Sequence, residues 1–122
     1  MSSSAASAYA RVATTTASPR DIEAQTLLKA ANKLQDAMKS ADPLSEQTMH
    51  ALMFNRKLWS IFLSEAMRDT NPQPLDVRQK IANISVFVLS QTAALQLAPQ
   101  FEHFRPLIEI NRNIAAGLSG KS

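Results

Sequence analysis

The chain has 122 residues, no cysteine, and 13 Lys and Arg against 10 Asp and Glu, a formal charge of +3. That length sets one domain with a modest core, and the lack of thiols excludes disulfide and thiolate chemistry and fits a reducing compartment. Only two glycines occur, Gly117 and Gly120, which excludes glycine-rich phosphate loops and leaves few hairpin sites, so the predicted fold class is all-α.

Residues 1–17 are rich in Ser, Ala and Thr, with Tyr9 as the one large apolar anchor, and read as a flexible N-terminal tail. A single helical domain is expected over residues 18–122. Ser18-Pro19-Arg20-Asp21-Ile22-Glu23 announces its first helix. Ser18 is placed as N-cap, Pro19 suits the first helical position, and Asp21 and Glu23 complement the positive end of the dipole. This helix is predicted over residues 19–40, with Ala24, Leu27, Ala31, Leu34 and Met38 as one narrow buried stripe on a surface helix.

Asp42-Pro43-Leu44-Ser45-Glu46 breaks the chain and starts a second helix, over residues 45–68. Met49, Leu52, Met53, Trp59, Leu63 and Met67 fall on one broad face, with Phe54, Leu58, Ile61 and Phe62 on another. His50, Lys57, Ser64 and Arg68 form the only continuous polar stripe. A helix this apolar requires cover on nearly all sides, from its own domain or from a partner.

Asp69-Thr70-Asn71-Pro72-Gln73-Pro74 reads as a rigid loop, because each proline disfavours helix in the residue before it. The third helix is predicted over residues 75–98, ended by Pro99. Val77, Ile81, Ile84, Val88 and Leu95 make its main apolar face, and Val86, Leu89, Ala93 and Leu97 a second one. Phe101-Glu102-His103-Phe104-Arg105-Pro106 is a short aromatic connector, and the fourth helix is expected over residues 105–118, with Leu107, Ile110, Asn111, Ile114 and Leu118 inward. The sum is a small four-helix assembly with antiparallel neighbours and with helices two and three at its centre.

No cofactor or metal is expected: His50 and His103 are the only histidines and neither sits in a ligand-spaced motif. No nucleophile elbow is present, and the acidic residues suit helix ends and surface pairs, so an enzyme is not expected. The cations are scattered, from Arg20, Lys29, Lys33 and Lys39 to Arg56, Lys57, Arg68, Arg78 and Lys80, without the patch that marks nucleic-acid binding. No apolar stretch approaches the ~20 residues of a membrane span, and the N-terminus lacks the plan of a secretory signal, so a cytoplasmic protein is expected.

What remains is protein binding, with Met49, Met53, Asn55, Arg56, Trp59, Ile108 and Asn111 as candidate contact residues. Asn55, Arg56 and Asn111 lie among apolar neighbours, where an unpartnered polar group or charge costs several kcal/mol. One reading is an interhelical network, with Arg56 paired to Glu109 and Asn55 or Asn111 bonded to a helix-end or loop carbonyl. The other is that they orient a bound peptide. Trp59 serves equally as core or as interface anchor. Met38, Met49, Met53 and Met67 fit either core filling or an adaptable groove.

Four segments stand out together: Ser7-Ala8-Tyr9-Ala10-Arg11, Ser18-Pro19-Arg20-Asp21-Ile22-Glu23, Phe54-Asn55-Arg56-Lys57-Leu58-Trp59-Ser60-Ile61-Phe62 and Pro106-Leu107-Ile108-Glu109-Ile110-Asn111-Arg112-Asn113-Ile114. In this order and spacing they resemble the FlaF family of bacterial flagellar biosynthesis proteins. The resemblance implies a role in flagellin production and export, with flagellin as partner of a cytoplasmic secretion chaperone. It also implies work opposite the FlbT family, whose members restrain translation of flagellin messages. The alternative is a post-transcriptional regulator that touches message directly or through a FlbT-like partner, with Arg56, Lys57, Arg68, Arg78 and Lys80 as its basic surface.

Overall fold

A computed structural model of the chain describes residues 19–120. The tail expected over residues 1–17 and the Ser18 cap lie outside them. Among the described residues four α-helices follow in order: α1 Pro19–Met38, α2 Glu46–Ala66, α3 Leu75–Leu97 and α4 Phe104–Leu118, the last entered through a 3-10 turn at Phe101–His103. Among the described residues there is no strand.

The breaks between helices are built by short polar side chains. Past Met38 the chain tightens, with Lys39 N–H donating to Asp36 and Ser40 N–H to Ala37 at 3.0 Å each, and Ala41 turns into the left-handed region at φ 61°. The first helix therefore stops two residues short of the predicted end. Leu44 N–H donates to Asp42 Oδ1 at 2.9 Å, an Asx turn that delivers Ser45 to the N-cap of α2. There Ser45 Oγ accepts from Thr48 N–H at 3.1 Å, and Thr48 Oγ1, itself wholly buried, donates back to Asp42 O at 3.1 Å.

The end of α2 is closed from downstream. Asn71 Nδ2 donates to Glu65 O at 2.7 Å, Arg78 Nε to Ala66 O at 2.9 Å and Arg78 Nη2 to Arg68 O at 2.8 Å. A cation over the final carbonyls of a helix satisfies acceptors that have no intrahelical donor and opposes the negative end of the dipole. The proline-bounded loop is thus tied at both ends.

Helix packing runs α4–α1–α2–α3. Residues 35–38 of α1 lie by residues 105–112 of α4, Phe54 of α2 lies under Lys29 and Lys33 of α1, and Asn55 and Arg56 of α2 meet Thr92 and Gln96 of α3. Successive neighbours are antiparallel, as short connections require. The order corrects the expectation that helices two and three are central: α1 and α2 occupy the middle and α3 stands at an edge. The reason lies in alanine. Ala24, Ala30, Ala31 and Ala37 widen the buried stripe of α1 around Leu27 and Leu34, all at 2% exposure or less, so that two helices can approach it closely. Burial of each of those leucines contributes about 1.5–3 kcal/mol.

Candidate protein-binding site

The inward face of α2 is set by its polar stripe. His50, Lys57, Ser64 and Arg68 are all exposed, and the residues directly opposite them are buried: Thr48, Ala51, Leu52, Asn55, Leu58, Trp59 and Ala66. Asn55 therefore sits at the centre of the covered face. The broad face expected from Met49 to Met67 is not a single inward surface. Leu52 and Trp59 are buried, Met49 and Leu63 half-buried, and Met53 and Met67 are exposed.

Around Asn55 a chain of hydrogen bonds crosses three helices. Trp59 Nε1 donates to Asn111 Oδ1 at 2.9 Å, Asn111 Nδ2 to Asn55 Oδ1 at 2.8 Å, and Asn55 Nδ2 to Thr92 Oγ1 at 3.2 Å. Thr92 Oγ1 in turn donates to Val88 O at 2.7 Å. All four side chains are at 1% exposure or less. Each group in the relay satisfies a neighbour whose desolvation would otherwise cost about 1–3 kcal/mol. The expected interhelical network is present, but its partners differ. Asn55 and Asn111 bond each other rather than a helix end, and the relay finishes on a mid-helix carbonyl.

Arg56 differs too. Its Nη1 donates to Gln96 Oε1 of α3 at 3.1 Å in an exposed position, so the expected pairing with Glu109 is not formed. Glu109 lines a separate hollow between α1 and α4 with Gln35, Met38, Arg105 and Arg112. An exposed arginine needs no buried carboxylate, since water solvates what Gln96 leaves free. Ile108 packs at 3% exposure. Of the seven candidate contact residues only Met53 and Arg56 are exposed; Met49 is half-buried, and Asn55, Trp59, Ile108 and Asn111 are buried.

Exposed apolar side chains occur on α1 and α2, among them Ile22, Leu28, Met53 and Ile61, and a further apolar surface lies on α3. From Ile81 through Phe101 no residue is charged. Within α3 only Ser85, Val88, Thr92 and Leu95 are buried, whereas Val86 is 56%, Phe87 51% and Leu97 89% exposed. A helix apolar on both sides is normally covered on both. This one packs chiefly on α2, while its other neighbour across the molecule, α4, stands off from it.

Between α3 and α4 opens a cleft of about 350 Å³ lined by Asn83, Ile84, Phe87, Ile110, Asn113 and Ile114. Ile84 and Ile114 also line a narrower hollow of about 100 Å³, reaching Trp59 and Phe62, whose rings meet edge to face at 5.2 Å. Its rim carries Glu23 and Glu65. Burial raises the Glu23 carboxyl above the usual range; nearby Arg20 opposes this and Glu65 reinforces it. Sequence periodicity missed Phe87 as a lining residue. The signal available for it was the charge-free run, which no solvent-facing helix needs.

Among the described residues no group of three or more His, Cys, Asp or Glu could hold a metal ion, and no helix is long and apolar enough to cross a membrane. The chemistry on offer is the burial of apolar side chains in a groove with amide groups at its edge. No curated protein and no solved structure matches the chain. The family model described as flagellar protein FlaF matches residues 5–118, nearly its full length. The chain accordingly belongs to the FlaF family of flagellar proteins.

Proposed function

We propose that this protein is a non-catalytic, cytoplasmic chaperone of flagellin that holds a terminal helical segment of the subunit in the cleft between α3 and α4. The observation that carries the reading is the open edge of the bundle, where Ile84 and Phe87 line a cleft of about 350 Å³ with Ile110 and Ile114. An amphipathic helix laid there would present i, i+3, i+4 and i+7 anchors to this apolar floor. Shielding those anchors keeps the segment from coiling with other subunits before export, and so supports flagellin synthesis and export together.

Regulation of flagellin messages, directly or through a FlbT-like partner, is the second reading, and the cations give it little support. Arg78 is committed to the end of α2, Arg68 pairs with Glu65 at 3.2 Å and Arg56 bonds Gln96, which leaves Lys57 and Lys80 as the exposed lysines of that surface. Calorimetry of the purified protein with flagellin tests the proposal. Binding should survive high salt, since apolar contacts lack the steep ionic-strength dependence of phosphate contacts. Phe87→Asp, at an exposed position, should weaken it more than tenfold with the fold intact by circular dichroism. No complex between wild-type protein and flagellin would refute it.

A further inference from the structure

A second, partly covered surface of α3 lies on the side turned away from the cleft, where Leu89 rests with one side against the core. Gln79, Ala82, Val86, Leu89, Ala93 and Gln96 follow one another at alternating steps of three and four residues, the spacing of a heptad seam. Gln79 and Val86 are exposed and the other four half-buried. At about 100° per residue the centre of the row lies roughly 170° from Ile84 and roughly 130° from Phe87. Gln96, which accepts from Arg56 on α2, fixes the flank on which it runs.

The row reads alike in both directions: glutamine at each end, alanine next, Val86 and Leu89 in the middle. Laid antiparallel against itself about a dyad between Phe87 and Val88, it sets Gln79 opposite Gln96, Ala82 opposite Ala93 and Val86 opposite Leu89. Those are the a-to-d layers of an antiparallel coiled coil. An isologous interface requires such self-complementarity. No charge lies within the row itself, since α3 is uncharged from Ile81 to Leu97, and the Arg56 guanidinium bonded to Gln96 stands at its end. The alanine layers permit close approach of the axes. Gln96 keeps its amide N–H groups for the facing Gln79, so the two polar layers fix the register.

We propose that two copies of this chain pair antiparallel through this row of α3. The pairing is independent of the flagellin reading, which uses the opposite side of the helix. One seam of 18 residues, about 27 Å long, is small beside the ~800 Å² per partner of a durable complex, so the dimer exchanges readily with monomer.

The chain's lack of cysteine makes a test of register direct. Ala82→Cys and Ala93→Cys are made separately and oxidised alone and mixed at high protein concentration. Only the mixture should yield a disulfide-linked dimer. Like positions lie about 16 Å apart along this seam, beyond the ~7 Å that a disulfide spans. Self-crosslinking of either variant to the same extent would overturn the antiparallel register, and no crosslink in the mixture would overturn the dimer. Val86→Glu should shift sedimentation equilibrium of the full chain to monomer with unchanged circular dichroism; persistence of dimer would count against this seam. Flagellin affinity serves as the separate readout, and Val86→Glu should leave it unchanged.

Discussion

Asn111 on α4 stands between Trp59 and Asn55 of α2, accepting from the indole at 2.9 Å and donating to the amide at 2.8 Å. One side chain thereby pins the C-terminal helix to a helix with which it otherwise packs little. Asn111→Ala leaves the indole N–H and Asn55 Oδ1 unsatisfied and opens a cavity. It should cost about 3 kcal/mol in urea unfolding. A double-mutant cycle with Trp59→Phe should return a coupling of about 1–2 kcal/mol, which independent sites would not show.

Arg78 joins the start of α3 to the end of α2 through two carbonyls, of Ala66 and of Arg68. Arg78→Ala should lower stability by about 1–2 kcal/mol and speed hydrogen exchange in residues 63–74. Arg78→Lys should recover less than half of the loss, since one ammonium cannot reproduce the planar fork that reaches both acceptors.

Ala41 carries a side chain at φ 61°, where a Cβ is unfavourable. Ala41→Gly relieves that conformation at the end of α1. The relief exceeds the extra chain entropy glycine loses on folding, and the variant should be more stable by about 0.5–1 kcal/mol in chemical denaturation.

Glu23 gives a pH dependence of known sign. Its carboxyl is raised in the folded state, chiefly by burial, so the folded protein binds its proton more tightly than the unfolded chain. The stability this contributes is complete below the ordinary glutamate range and is lost as pH climbs through the raised value. Glu23→Gln should therefore melt higher than wild type at neutral pH, and the difference should shrink on acidification toward pH ~4 in paired thermal scans.

Local signals in the chain were legible. Pro19 at the first position of α1, Ser45 as cap of α2, Pro72 and Pro74 in the loop and Pro99 after α3 all act where short-range chemistry puts them. Helix bounds agree within two residues because caps and prolines work on immediate neighbours. The order of packing was not legible, since alanines 30 and 37 carry little weight in a periodicity argument yet decide how closely α1 can be approached. The cost of an unpaired charge points Arg56 to Glu109, whereas α4 turns Glu109 toward α1. Asn55 was readable as buried once the polar stripe opposite it was taken as the guide. Its partner Thr92 was not, because a threonine bonded to the carbonyl four residues back leaves no mark in composition.

The single tryptophan begins the relay at one end and touches the hollow beneath the α3–α4 cleft at the other. Its emission is consequently an internal gauge for the whole molecule. A ligand that fills the hollow changes the polarity around the ring, and a break at Asn111 frees the indole N–H, so the two events carry separate spectral signatures without any dye attached.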